Sequence, residues 1–422
     1  MRTLKVIVLV LVCFALLAVV LYWVPPVHQR LSWRVDFALA YLRGVVDPVE
    51  PLPTPLPEPH VLVADQPTGT PTAMITETQY PTATQGATVT QGATATPVPT
   101  ATLLPASVAL DSPGWEKQDI NNCGPAALAM YLRYYGWDGD QSDIAQLLKP
   151  KRQDRNVNVE ELVYYVRTQA GWLNAEYRVG GDIDLLKEFL AAGIPLMIEE
   201  SFYFEAPYWP NDDLWAAHYN LITGYDDASQ TFIGQDSYHG PDQLIPYETL
   251  DAYWQPFNRV YILLYLPQQE HTVKDILGDD WDVDINRQYA LDVAKAETNN
   301  DSQNAFAWFN LGTNLAYFEA YSEAADAYDV ARTLGLPQRM LRYQFGPFMA
   351  YFHSARMEDL MTLAEYALQR TPNAEEALLW RGWGHYRLGD TALAMHDFRQ
   401  ALQENPYYQD AQYALSYIDQ NR

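Results

Sequence analysis

Two cysteines, Cys13 and Cys123, occur in 422 residues, and only Cys123 lies outside the N-terminal apolar run. It heads the stretch Cys123-Gly124-Pro125, after which Ala127, Met130, Tyr131 and Tyr134 recur at i, i+3, i+4 and i+7. That spacing predicts a helix over Cys123–Tyr135. Pro125 suits its first turn, where the missing N–H costs nothing, and Gly136 suits its stop. A cysteine at a helix N-terminus meets the positive end of the macrodipole and unpaired N–H groups, which favour the thiolate, the nucleophilic form. The alternative for a lone cysteine is a small buried hydrophobe.

A thiolate needs a base to make it, and the chain offers one in a predicted hairpin. Tyr219–Tyr225 and Thr231–Asp236 read as strands joined by the turn Asp226–Gln230. With Tyr225 opposite Thr231, Asp236 faces Asn220, and His218 lies on the same face as its diagonal neighbour. A slip of one residue would send the two side chains to opposite faces. In that register an imidazole has a carboxylate behind it, with Asn220 in reserve. His239 is the rival base, but it falls beyond the strand in the turn Gly240-Pro241. Packing the Cys123 helix against the hairpin end would complete Cys–His–Asp. His218 would then take the thiol proton and Asp236 would fix its tautomer.

The elements that must position this set are read from period and caps. Helices are predicted over Asp143–Leu148, with a possible Asp143-x-x-Gln146 capping box, and over Val159–Ala170 and Asp182–Ala192. Strands are predicted over Ile194–Glu199 and Val260–Leu266, with a short helix at Tyr247–Tyr253. Helices first and strands later suggest an α+β unit, with helices packed on one side of a mostly antiparallel sheet. Phe202 to Pro210, then Leu214-Trp215, form an aromatic loop leading into His218, read as a lid or as a loop stapled by its own rings. Asp138–Asp143 lacks the glycine and glutamate of a calcium loop and is read as a turn between helices. Asp279–Asp284 is read as an acidic helix start.

The net charge of −26 argues against nucleic acid as a partner. Val6 to Val24 is an unbroken apolar run flanked by Arg2 and Lys5, with Tyr22 and Trp23 at an interfacial position. It is just long enough to cross a hydrocarbon core of roughly 30 Å, and is read as an uncleaved anchor. His28–Val46 is read as a short amphipathic helix on the membrane. Residues 51–105 are rich in Pro and Thr and cannot bury enough apolar surface to order themselves, so a disordered stalk is expected. Such a stalk places the globular part outside the cell, on a single-pass membrane anchor.

The set Gln118-x4-Cys123-Gly124-Pro125, Gly193-Ile194-Pro195, Ala217-His218-Tyr219-Asn220 through Gly224-Tyr225-Asp226, and Asp236 resembles the bacteriocin-processing-type (double-glycine leader peptidase-like) cysteine peptidases of the papain-like fold. The resemblance covers about Ser112 to Leu266. It implies an α+β papain-like domain with Cys123 as nucleophile, His218 as base and acid, Asp236 as orienting carboxylate and Gln118 as oxyanion-hole donor beside the Cys123 N–H. Two departures stand out. Asp236 is followed by Ser237 rather than proline, and no Gly-x4-Gly-Lys-Ser/Thr is present, so the chain is not read as a leader-cleaving transporter.

From about Asp282 the chain resembles tetratricopeptide repeats. The copies are Leu311-Gly312 … Ala324 … Tyr328 … Ala331, a degenerate Leu341–Pro372, and Gly382 … Ala394 … Phe398 … Ala401 … Pro406, with Tyr407–Gln420 as the polar cap. The resulting plan is a tip and anchor at 1–28, a juxtamembrane segment at 29–50, the stalk at 51–105, a cysteine peptidase-like domain at 106–268 and repeats at 269–422. The function expected is a surface-exposed thiol peptidase acting on a peptide or protein, without cofactor or metal, whose repeats recruit substrate or a protein partner. Amidase or acyltransferase chemistry uses the same machinery, and an inactive peptidase fold serving as a binding scaffold is the alternative from another class.

Overall fold

The computed structural model describes residues 13, 14, 17, 22–56, 104–151 and 154–421. The expected anchor therefore lies almost wholly outside the described residues, as does the low-complexity stretch 57–103. Among the described residues no helix is long and apolar enough to cross a membrane. The expected juxtamembrane helix is part of α1 (Pro25–Val46), with Pro25 in its first turn. Residues 51–55, assigned to a disordered stalk, instead lie against the repeats. Val49 and Leu52 are buried there. Tyr366 Oη donates to the Glu50 carbonyl (2.8 Å) and Arg332 Nε to the Pro53 carbonyl (3.0 Å). A proline-rich segment has carbonyls to offer and few N–H groups, so arginine and tyrosine donors satisfy it.

Seven strands follow: β1 (Ser107–Ala109), β2 (Asn174–Arg178), β3 (Leu196–Tyr203), β4 (Trp215–Asp226), β5 (Thr231–Asp236), β6 (Gly240–Pro246) and β7 (Tyr261–Tyr265). They form one antiparallel sheet in the order β2-β7-β3-β4-β5-β6, with β1 also paired to β4. The turn expected at Gly240-Pro241 is thus the start of β6, which lies at the sheet edge where proline is tolerated.

Helices cover both faces of the sheet, which corrects the one-sided expectation. α2 (Cys123–Tyr134), α3 (Gln141–Leu148) and α4 (Val159–Gln169) share a core with Met197, Leu221, Ile262 and Leu264. α5 (Ile183–Ala191), α6 (Tyr247–Trp254) and α7 (Glu270–Leu277) share another with Ile198, Ile222, Leu263 and Tyr265. Successive residues of β3, β4 and β7 point to opposite faces and are nearly all buried, so neither face is left to water. The cap of α3 also differs from expectation. Asp140, not Asp143, is the N-cap, accepting from Ser142 N (2.7 Å), while Asp143 accepts from Asp140 N (3.0 Å). Asp143 therefore closes a capping box instead of opening one. Among the described residues no group of His, Cys, Asp or Glu is placed to hold a metal.

After α8 (Val283–Asn300), capped by Asp282, three helix pairs stack: α9 (Ala305–Tyr317) with α10 (Tyr321–Leu334), α11 (Gly346–His353) with α12 (Met357–Arg370), and α13 (Glu375–Arg387) with α14 (Thr391–Glu404). α15 (Gln409–Gln420) closes the array. Small residues permit the pairing: a Cβ on Gly382 would lie 2.5 Å from the buried Phe398 ring. Overpacking against a rigid ring outweighs the helix-propensity gain of about 1 kcal/mol, so Gly382→Ala should destabilise by about 1–3 kcal/mol, measured by chemical denaturation. The apolar core on the α2 side runs without a break from the sheet domain into the repeats, from Tyr131 and Trp215 to Phe348 and Ile418.

Candidate active site

The β4–β5 hairpin presents His218 and Asp236. Beyond the turn the register is Asp226 with Thr231 and Tyr225 with Phe232, one residue off the expected pairing. An irregularity between Ile222 and Gly224 shifts it back, so Leu221 pairs with Gln235. Continued by one residue, this sets Asp236 beside Asn220, the pairing expected from sequence. A β-bulge adds one residue to one strand and so exchanges the faces of everything beyond it.

His218 Nε2 lies 3.0 Å from Asp236 Oδ1, with both side chains buried. Asp236 is itself tightly held. Oδ1 accepts from the backbone N of Tyr238 (2.7 Å) and His239 (3.0 Å), and Oδ2 faces His239 Nδ1 at 2.7 Å. His239, the rival base, is thus a partner of the carboxylate. Asn220 does not stand behind His218. Its amide donates to Glu200 Oε1 (3.0 Å), whose pKa burial pushes up to about 7.

Helix α2 delivers Cys123, half-buried, to the His218 side chain and the backbone of Tyr219, both of which act on its thiol. With Nε2 committed to Asp236, Nδ1 is the imidazole nitrogen left for sulfur. Asn122, the N-cap, makes no side-chain hydrogen bond to the helix, so the first N–H groups stay uncapped at the thiol. Burial would raise the Cys123 pKa, but the hydrogen bond and charge of His218, the Tyr219 backbone and Lys149 bring it below the ordinary thiol value. Burial opposes charge on His218 too, yet the bonds to Asp236 and Cys123 raise its pKa. Asp236 is pulled below the usual carboxylate range, its burial outweighed by His218 and His239. Together these directions favour a thiolate beside an imidazolium over a neutral pair.

Gln118 is fixed from the hairpin side. Its N–H donates to the Ser237 carbonyl (2.9 Å), and Ser237 Oγ donates to Gln118 Oε1 (2.9 Å). The carbonyl end is thereby used, and the NH2 end remains as donor.

Several supporting residues escaped sequence reasoning. Buried Gln141 ties down the 116–122 loop: Oε1 accepts from Asp119 N and Asn122 Nδ2 (both 2.7 Å), and Nε2 donates to the Lys117 carbonyl (2.8 Å). Lys149, also buried, donates to the carbonyls of Asn121 and Asp154. Periodicity shows that a helix exists here, but it does not show which polar residue on it turns inward. The aromatic loop is narrower than expected, because Phe202 and Tyr203 belong to β3 and Trp215 to β4. Phe202 packs its ring on His218, Tyr238 and His239 at 5.0–5.4 Å. The loop is stapled, although the staple comes from the repeats: Arg339 stands over the Trp209 ring at 4.0 Å.

Residues 109–262 match the model of the Peptidase_C39-like family, and residues 375–408 match that of the tetratricopeptide repeat. No curated protein matches the chain. Among solved structures, one from Bacillus anthracis described as a C39-like peptidase is 18% identical, with a TM-score of 0.31, over 38% of this chain and 97% of its own. The peptidase domain of Streptococcus ComA, a bifunctional ABC transporter of a quorum-sensing pathway, is 17% identical (TM-score 0.28), over 36% and 96%. Xylellain, a cysteine protease from Xylella fastidiosa, is 17% identical (TM-score 0.31), over 39% and 87%. The sheet domain of this chain thus has a C39-like cysteine peptidase fold, joined to tetratricopeptide repeats.

Proposed function

We propose that this protein is a cysteine peptidase that hydrolyses peptide bonds through Cys123, His218 and Asp236, with Gln118 as oxyanion-hole donor. The observation that carries the reading is His218 placed between the Cys123 thiol, whose pKa it lowers, and Asp236 Oδ1, 3.0 Å from its Nε2. The Cys123 thiolate attacks the scissile carbonyl, and negative charge gathers on the carbonyl oxygen, within a hole formed by the Gln118 NH2 and the Cys123 N–H. His218, as imidazolium, gives its proton to the leaving amine as the C–N bond breaks. Water then attacks the thioester, passing a proton to His218, and the acid leaves as the C–S bond breaks.

Gln118→Ala should lower kcat by about 10²–10³ with little change in KM, because the hydrogen bond strengthens only as the oxyanion forms.

The repeats recruit substrate or a protein partner in this reading, a role supported by the family match at 375–408. The unit is held at the outer face of a membrane by the apolar run Val6–Val24, a reading supported by sequence alone. Protease accessibility of the globular part on intact cells tests that side.

The pH dependence of Cys123 alkylation, followed on the Cys123 peptide by mass spectrometry, tests the chemistry. Alkylation persisting well below the free-thiol pKa of about 8.5, and lost in His218→Ala, is expected. An ordinary thiol curve in both proteins would refute the peptidase and leave a binding scaffold.

A further inference from the structure

β4 is longer than the strand beside it. Its pairing with β3 runs from Trp215 to Ile222, whereas β5 begins to pair only at Leu221. From Trp215 to Tyr219, just where His218 sits, the edge facing away from β3 has no strand partner in β5. Alternate residues direct their N–H and C=O groups to that edge, and unpaired backbone groups there would be costly once buried.

Three side chains face this edge. At Tyr219 the backbone meets the Cys123 sulfur. Beside Ala217 stands Tyr343, buried, its ring 5.9 Å from that of Trp215 and its phenol influenced by the Ala217 backbone. At Trp215 the carbonyl accepts from Arg339 Nη1 at 2.9 Å. Both Tyr343 and Arg339 come from the connection between α10 and α11, within the repeats. Three successive positions on one strand edge, two residues apart and so about 7 Å from each to the next, are thus faced by Arg339, Tyr343 and the candidate nucleophile, with the Arg339 hydrogen bond closing the first.

Arg339 also holds the loop that feeds this edge. Its Nη1 and Nη2 form a fork on the two carboxylate oxygens of Asp212 (2.7 and 2.6 Å), with both side chains withdrawn from solvent. The Asp212 carboxylate in turn accepts from Tyr208 N (2.8 Å) and Leu214 N (3.2 Å). Leu214 has φ of +65°, a conformation that a leucine keeps only when its surroundings over-determine it. The guanidinium lies over Trp209 and Phe204. The entry angle of β4, three residues before His218, is therefore set from the repeats.

We propose that Tyr343 and Arg339 are positioning residues of the Cys123–His218 pair, so that the repeats form part of the active site besides any recruiting role. The inference rests on the peptidase reading above. It explains why a single core runs from the sheet into the repeats. It also means that a chain cut at the end of the sheet domain would lose the edge on which His218 is registered.

The test uses the full chain, with Cys123 alkylation by iodoacetamide followed on its own peptide so that Cys13 does not interfere. Tyr343→Phe keeps the ring and removes the oxygen, and Arg339→Ala breaks the fork. Alkylation at pH 6 is expected to fall about 3-fold in Tyr343→Phe and about 10-fold or more in Arg339→Ala, as the thiol pKa moves back towards that of a free thiol. A merely structural role would lower the melting temperature and leave the pH profile of the folded protein in place. That outcome overturns the proposal. Should Arg339→Ala fail to fold, Tyr343→Phe alone decides. An ordinary thiol curve in the unmodified protein overturns the peptidase reading and the proposal together. A shifted curve that is identical in the unmodified protein and in each variant that folds overturns only the proposal.

Discussion

Cys123→Ala should reduce hydrolysis of any peptide the protein cleaves by about 10⁴-fold or more, with the fold intact. The loss is large because the covalent step has no substitute once sulfur is gone: His218 and Gln118 would then act only on bound water. Stability should change little. The side chain is small and half-buried at the first position of α2, and alanine keeps the helix. The measurement is the cleavage rate of a proteome-derived peptide library by mass spectrometry, with thermal melting by circular dichroism alongside. Retained cleavage would move the nucleophile elsewhere.

Asp236→Asn is expected to cost about 10²–10⁴ in kcat, because an amide can present the wrong hydrogen-bonding end to His218 Nε2 and no longer stabilises the imidazolium. Loss of the carboxylate lowers the His218 pKa and lets the Cys123 pKa rise, so the acid limb of the pH–rate profile should move to higher pH. The stability consequence has a definite sign. Asp236 is depressed when folded, so its contribution is present above the ordinary carboxylate pKa and is lost as pH falls through the folded value. His218 is raised to about 10, so its contribution is full below about 6.5 and is lost as pH rises through the folded value. The unmodified protein should therefore be most stable between about pH 4 and about pH 6.5, with stability declining on either side, and Asp236→Asn should lower that maximum. Melting curves at a series of pH values check this. An acid limb that stays in place after the substitution would assign the orienting role to another group.

The chemistry-bearing residues were legible because their placement depends on short stretches of chain. A helix beginning at Cys123 follows from apolar spacing and one proline. His218 and Asp236 are 18 positions apart across a single turn, and the Gly382–Phe398 contact lies within one repeat. The pairing of Asp236 with Asn220 agrees with the simple register only because an offset at the turn is undone near Thr223. That compensation depends on strand twist and packing, which no two-residue period encodes.

What could not be read were contacts between distant parts of the chain. Arg339 reaches Asp212 across 127 positions, Arg332 reaches Pro53 across 279, and Gln141 of α3 meets Asp119 in the loop before α2. The burial of both sheet faces also emerges only when all the helices are placed. The sequence by itself determined the helix that offers the thiol, the hairpin that offers imidazole and carboxylate, and the repeated helix pairs, since each follows from local conformational preference. Tertiary structure alone decided that the repeats close the β4 edge beside Cys123. Which buried polar groups meet depends on how the apolar faces collapse together, and only then must each unpaired backbone group find a donor or acceptor.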